Sequence, residues 1–273
     1  MSALMNATRS ELAKQFSVSV WWILLIVLVL YVGGTAGSLA AAFGASDSGL
    51  AGAASLPGGL GDRLPVIVYG TATAIGYVFP LIVGTLMVTG EYRHKTLTPT
   101  FLATPRRGAA LAAKVLAGVV MGLLYGVAAV VSTVGAGAAM FAVFGVDPQL
   151  TEPATWASIG RMLLALVLWV LVGIALGALI RNQIGAVVGV LAFTQFVEPI
   201  ARLGAALVDG LAPVVRFLPG AASDALAGDS VFNALGGGTA DALEWWAGGL
   251  VLAGYAAVLL VLGGILSWRR DVV

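Results

Sequence analysis

The sequence predicts an all-α, polytopic membrane protein with six transmembrane helices, and three observations predict it. Hydrophobic residues make up 60% of the 273 positions, charged residues only 10%, and the mean hydropathy is +1.01. That balance lies far outside the range of water-soluble domains. The apolar residues are gathered into six runs, and a membrane span needs roughly 20 residues at 1.5 Å rise each. Finally, lysine and arginine fall mainly between alternate runs, the asymmetry that orients a chain in a bilayer. No polar stretch is long enough for a separate soluble domain, so a single membrane domain accounts for residues 1–273.

Residues 1–17 suit an amphipathic surface helix, with Met1, Leu4, Met5, Leu12 and Phe16 on one face and Asn6, Arg9, Ser10 and Lys14 away from it. A secretory signal fits poorly. The following run, 20–43, is too long for one and opens with Trp21 and Trp22, which suit an interfacial belt. Residues 44–64 read as a Gly/Ser/Ala-rich loop containing Asp47, Asp62 and Arg63. The second span, 66–89, contains Pro80, which kinks a helix by removing an amide donor. The third, 115–141, carries Gly118, Gly122 and Gly126, and Gly173 with Gly177 and Gly185 with Gly189 repeat that spacing in the fourth and fifth. Small residues on one stripe let backbones approach closely, most simply within the chain.

An acidic turn with Asp147, Pro148, Glu152 and Pro153 precedes the fourth span, 159–180. Only Arg181, Asn182 and Gln183 separate it from the fifth, so those two spans are expected to be antiparallel neighbours. The fifth, 184–198, is short and ends at Glu198 and Pro199. Residues 199–218, interrupted by Arg202, Asp209, Gly210, Pro213 and Arg216, are expected to form a re-entrant or interfacial helix pair. A polar stretch with Asp224, Asp229 and Gly236 to Gly238 leads to the sixth span, 243–267. Glu198 and Arg202 lie one helical turn apart, which reads either as an anchoring ion pair at the outer end of the fifth span or as a gate for a polar group.

With both termini in the cytoplasm, Arg9, Lys14, Arg93, Lys95, Arg106, Arg107, Lys114, Arg181, Arg269 and Arg270 fall inside. Arg63, Arg161, Arg202 and Arg216 fall outside, with Asp47, Asp62, Asp147, Glu152, Asp209, Asp224 and Asp229, so the positive-inside rule is obeyed. The chemistry available is narrow. The chain has no cysteine and one histidine, His94, so neither a thiolate centre nor a histidine pair for a metal is present in the sequence. It lacks a glycine-rich loop ending in Gly-Lys-Ser or Gly-Lys-Thr, so it has no P-loop of its own for ATP. These observations assign no catalytic residues, no metal ligands and no nucleic-acid partner, and point away from an enzyme. Ion-coupled transport normally needs ionisable groups at mid-membrane, whereas Lys114, Arg161, Glu198 and Arg202 all sit near span ends.

The densest charge lies in residues 91–114, EYRHKTLTPTFLATPRRGAALAAK, expected to be a loop holding a short amphipathic helix over 96–104. Leu97, Phe101 and Leu102 form its apolar side, and Pro99 and Pro105 limit its length. A basic membrane anchor is the plain explanation of such a loop. The order of residues adds more: Glu91 closing one span, then Tyr92, Arg93 and Thr96, then Leu102, Ala103, Thr104, Pro105, Arg106 and Arg107, with Lys114 opening the next. This stretch resembles the permease subunits of bacterial, exporter-type ATP-binding-cassette type-2 transporters, and the surrounding spans extend the resemblance over nearly the whole chain.

The resemblance implies a coupling helix between the second and third spans that docks into an ATPase subunit through Glu91, Arg93, Thr96, Leu97, Phe101, Leu102, Pro105, Arg106 and Arg107. It implies a connecting helix at 1–17, a second permease subunit in a homodimer, and two ATP-binding-cassette ATPase subunits that hold ATP and Mg. This chain then holds no cofactor. It implies residence in the bacterial cytoplasmic (inner) membrane, and export by alternating access or a channel-like path, with the first, second and fifth spans near the dimer interface. Lys95 stands where the family often has glycine. The apolar interior suits an amphipathic cargo, such as a drug, a peptide antibiotic or a lipid. Two alternatives come from other classes: a secondary transporter, and a membrane anchor that recruits a cytoplasmic protein through residues 91–114.

Overall fold

The computed structural model describes residues 2–47, 63–103, 106–180, 182–205, 208, 210–228 and 243–268. Expectations that concern Pro105, Arg181, Asp209, Asp229, residues 236–238 and the C-terminal arginines lie outside the described residues. Among those described, all regular structure is helical, and six helices are long and apolar enough to cross a membrane. The chain is a multi-pass membrane protein.

Helix α1 (Ser2–Ser17) leads through a tight turn into α2 (Val20–Asp47). Leu28, Val32, Ala36 and Ala40, four residues apart, are fully buried, while Leu30 and Tyr31 are exposed. One stripe of α2 therefore packs inward, against α7 (Arg107–Phe144). The apolar remainder faces outward, which lipid tolerates and water would not.

The second span is broken into α3 (Leu64–Tyr69), α4 (Thr71–Ala74) and α5 (Val78–Arg93). The break at 75–77 lies just ahead of Pro80, which has no N–H to offer the Gly76 carbonyl. Buried hydroxyls satisfy carbonyls around the irregularity, Thr71 Oγ1 donating to Val68 O at 2.7 Å and Thr73 Oγ1 to Gly70 O at 3.0 Å. Such compensation is what permits irregular backbone at membrane depth.

Residues 91–114 are mostly helical rather than a loop. Glu91 to Arg93 end α5, a seven-residue helix α6 (Leu97–Ala103) follows, and α7 begins at Arg107. The stretch Ala109, Ala110, Leu111, Ala112, Ala113, Lys114 consists of strong helix formers, so the helix starts well before the apolar run does. At 38 residues α7 is far longer than a bilayer requires; it is roughly 57 Å long, against a hydrocarbon core of about 30 Å. Lys95 has φ 55, the left-handed conformation that glycine adopts without strain.

Helix α8 (Pro153–Leu179) forms the centre of the bundle, packing on α5, α7 and the last span, α13 (Trp245–Gly263). The α5–α8 contact is close because glycines meet backbone: a Cβ on Gly84 would strike the Val170 carbonyl, and one on Gly173 the Leu81 carbonyl. A Cβ on Gly177 would lie 2.7 Å from Thr85 O. Gly118, Gly122 and Gly126 face Ile174, Val167 and Leu163 of α8. These stripes pack within the chain, whereas Gly189 of the fifth span meets nothing.

The fifth span reaches beyond its apolar run. Helix α9 (Gln183–Ala192), a π turn at Phe193–Val197 and α10 (Glu198–Ala205) form one 23-residue unit. The wide turn, with Glu198 N–H bonded to Phe193 O, lets the helix pass Pro199, whose ring would otherwise collide with a carbonyl one turn earlier. Residues 199–205 thus continue the fifth helix and are not the first half of a separate pair. The chain then forms α11 (Ala212–Val215) and α12 (Pro219–Ala227), the latter packed on α13. Helix α9 packs chiefly on α5 and only lightly on α8.

Candidate functional site

Two separate polar clusters are built into the bundle. The first joins four ionised side chains from three helices. Glu11 and Lys14 lie one turn apart on α1, Glu91 ends α5, and Lys114 lies two turns into α7. Lys114 is fully buried; it donates to Glu11 Oε2 at 2.6 Å and to Met87 O at 3.4 Å, and its ammonium forms an ion pair with Glu91 Oε1 at 3.0 Å. Lys14 Nζ donates to Glu11 Oε1 at 2.6 Å, Glu91 Oε1 at 2.8 Å and Thr100 Oγ1 at 3.2 Å. Two carboxylates and two ammonium groups cancel, the condition under which buried charge is tolerated. Burial opposes the charge of Lys14, yet hydrogen bonds and charge from Glu11 and Glu91 more than offset it and hold its pKa above the ordinary lysine value of 10.5. The tetrad fastens α1 to the ends of α5 and α7.

The tetrad sets which side of α1 meets the bundle: Lys14, expected on the polar face, turns inward, while Asn6, Arg9 and Ser10 stay exposed and Leu12 packs against the core. Glu11 is buried and Lys14 half-buried, while Leu4, Met5 and Phe16 are exposed. Charge pairing decides the inward face, and the outward apolar face is one that a bilayer interface accepts.

The expected docking residues separate into two groups. Glu91 belongs to the tetrad, and Leu97 is 2% exposed, packed into the core. Arg93, Thr96 and Arg106 are exposed, Arg107 is half-buried, and Leu102 is 78% exposed. Leu97 and Leu102 therefore do not share an apolar side; five residues on a helix turn about 140°, so one faces the bundle and the other away. Pro105 and the side chain of Phe101 lie outside the described structure. Thr100 links α6 to the tetrad, its hydroxyl 3.3 Å from Glu91 Oε1.

The second cluster fastens α12. Arg202 Nη2 donates to Glu198 Oε1 at 2.8 Å, and its Nη1 donates to Asp224 Oδ2 at 2.6 Å. Glu198 also accepts from Gly220 N at 3.1 Å and Ala221 N at 2.8 Å, the open amides of the first turn of α12. A Cβ on Gly220 would come within 2.8 Å of the Glu198 carboxyl carbon. Nearby, Trp169 Nε1 donates to Ser223 Oγ at 3.0 Å and stacks on Tyr77 at 4.4 Å. Glu198 and Arg202 are thus an i,i+4 pair with a third member, Asp224, that spacing alone did not reveal. About 20 Å of α5 separates Tyr77 from Glu91, so the two clusters are distinct, and the second, beside Trp169, lies part-way along α8.

Beside the first cluster lies a cavity of about 660 Å³, walled by α1, α5, α6, α7 and the start of α9. Glu11, Lys14 and Glu91 contribute to its wall, together with Trp21, Val83, Leu86 and Met87. Among the described residues no group of three or more metal-ligating side chains gathers. Glu11 was not singled out from sequence. The available signal was Lys114, a lysine in an Ala-rich helix, which needs a carboxylate partner once buried. Comparison with known families gives no assignment: no family model matches the chain, and no curated protein matches it significantly.

Proposed function

We propose that this chain is the membrane permease subunit of an ATP-driven export system, moving an amphipathic substrate with a separate ATPase. The observation that carries the reading is α6. This short helix hangs between the second and third spans, is held to the bundle by buried Leu97 and by Thr100, and turns Leu102 outward amid Arg93, Thr96 and Arg106. A helix fastened through one buried leucine and one hydroxyl, with an exposed apolar anchor and charged residues in its flanks, has the anatomy of a docking element. In this reading both termini and α6 lie in the cytoplasm, the membrane is the bacterial inner membrane, and ATP and Mg belong to the two partner subunits. The outward apolar faces of α2 and α9 are where a second permease copy packs. Helices α11 and α12, fastened by Glu198, Arg202 and Asp224, cap the outer end.

The test is affinity capture of this chain from its own membranes and a search of what co-purifies for a P-loop ATPase. Leu102→Glu, together with Phe101→Ala, reduces recovery of the ATPase and its stimulation while membrane insertion stays intact. Loss of a buried anchor is worth about 2 kcal/mol, or roughly thirtyfold in affinity. Unchanged recovery and unchanged ATP turnover in both variants reject the docking assignment.

A further inference from the structure

We infer that the cavity beside the tetrad binds the headgroup of a zwitterionic amphiphile that carries a primary ammonium, the chemistry of an ethanolamine phospholipid. Glu91 is used unevenly. Its Oε1 accepts from Lys14 and Thr100 and forms an ion pair with Lys114, whereas its Oε2, sealed from solvent, has no partner. Gln183, in the same wall, likewise has a carboxamide oxygen that is buried and unpartnered. Leaving two acceptors without donors is costly, and bulk water does not reach either atom. Both side chains border one space, so a single ligand bearing several N–H donors satisfies both after a small rotation of their terminal torsions, which are soft.

The rest of the wall defines the remainder of the ligand. The partly exposed Lys14 side chain carries its charge in the cavity wall, and Arg93 and Lys95 lie exposed close by in sequence, so a bare cation meets like charge. A phosphate next to the ligand's ammonium removes that conflict. Val83 and Leu86 line the cavity for an acyl chain, and its mouth reaches the exposed Val18 and Val20 at the α1–α2 turn, where a lipid tail leaves toward the bilayer. The volume of about 660 Å³ is within the usual range for small-molecule sites and suits a headgroup with its first methylenes. A quaternary choline headgroup has no N–H donor for the two acceptors; a glycerol headgroup offers hydroxyl donors but no positive charge for the Glu91 carboxylate, so its bond there is the weaker one.

As a statement about cargo this rests on the permease reading; as a statement about binding it does not. The full chain, purified in detergent without any ATPase, is titrated with 1-oleoyl lysophosphatidylethanolamine, lysophosphatidylcholine and lysophosphatidylglycerol, with bound lipid counted by native mass spectrometry. The ethanolamine lipid binds at least about tenfold more tightly than the other two, the worth of one charge-assisted hydrogen bond. Gln183→Leu, which leaves the ion tetrad untouched, and Ala110→Leu, which narrows the cavity, each remove that preference. Glu91→Gln does so too where the protein still folds. Equal binding of the ethanolamine and choline lipids, tightest binding of the glycerol lipid, or a preference that survives both Gln183→Leu and Ala110→Leu overturns the site. None of these outcomes touches the ATPase assay above.

Discussion

Lys114→Met is the most informative single change, because it isolates what holds α1 to the bundle. The lysine is completely buried, and its ammonium lies 2.6 Å from Glu11 and 3.0 Å from Glu91. Methionine keeps the apolar stem and removes the charge, so two carboxylates are left facing Lys14 alone and the cluster carries an uncompensated negative charge. Breaking a buried pair in this way costs about 3–5 kcal/mol, which is large against a total stability of roughly 5–15 kcal/mol. Adding Glu11→Gln restores neutrality. If the energy lies in charge balance, the double variant is more stable than the sum of the single effects by about 1–3 kcal/mol. The assay is reversible unfolding in mixed micelles followed by tryptophan fluorescence, with Lys114→Met, Glu11→Gln and the double variant run in parallel. A single-variant loss below about 1 kcal/mol, or strict additivity in the double, refutes the tetrad as the fastening of α1.

Gly173→Leu drives a side chain into the Leu81 carbonyl and the Thr85 amide, so it separates α5 from α8 and lowers the unfolding midpoint far more than Gly189→Leu, whose added side chain meets open space. Equal shifts for the two variants contradict the packing described. Lys95→Gly relieves a left-handed backbone and stabilises the protein by about 1 kcal/mol, measured in the same unfolding assay; a loss of stability contradicts the φ of 55. Because the chain has no cysteine, a single cysteine at the exposed Gly108 reports sidedness directly. An impermeant thiol reagent leaves it unlabelled in intact cells and labels it after permeabilisation, and labelling of intact cells inverts the proposed orientation.

The sequence by itself determined the six helices, because partition into a bilayer is a sum over neighbouring residues and each apolar run carries its own answer. It also determined the short helix near residues 97–103, the irregularity ahead of Pro80 and the close packing at Gly118 and Gly173, all of which follow from local backbone chemistry. Only the tertiary structure decided which face of α1 turns inward. An amphipathic pattern says which side chains share a face, but Glu11 and Lys14 face the protein because carboxylate and lysine partners 77 and 103 positions away in sequence converge on them. The same holds for Asp224, which completes the Glu198–Arg202 pair across 22 residues. The fifth helix outran its apolar run for a related reason: Glu198 is satisfied by α12, so a charge that looks like the end of a span is instead buried within it. Pairing energy depends on which groups meet, and one chain read in order does not contain that meeting.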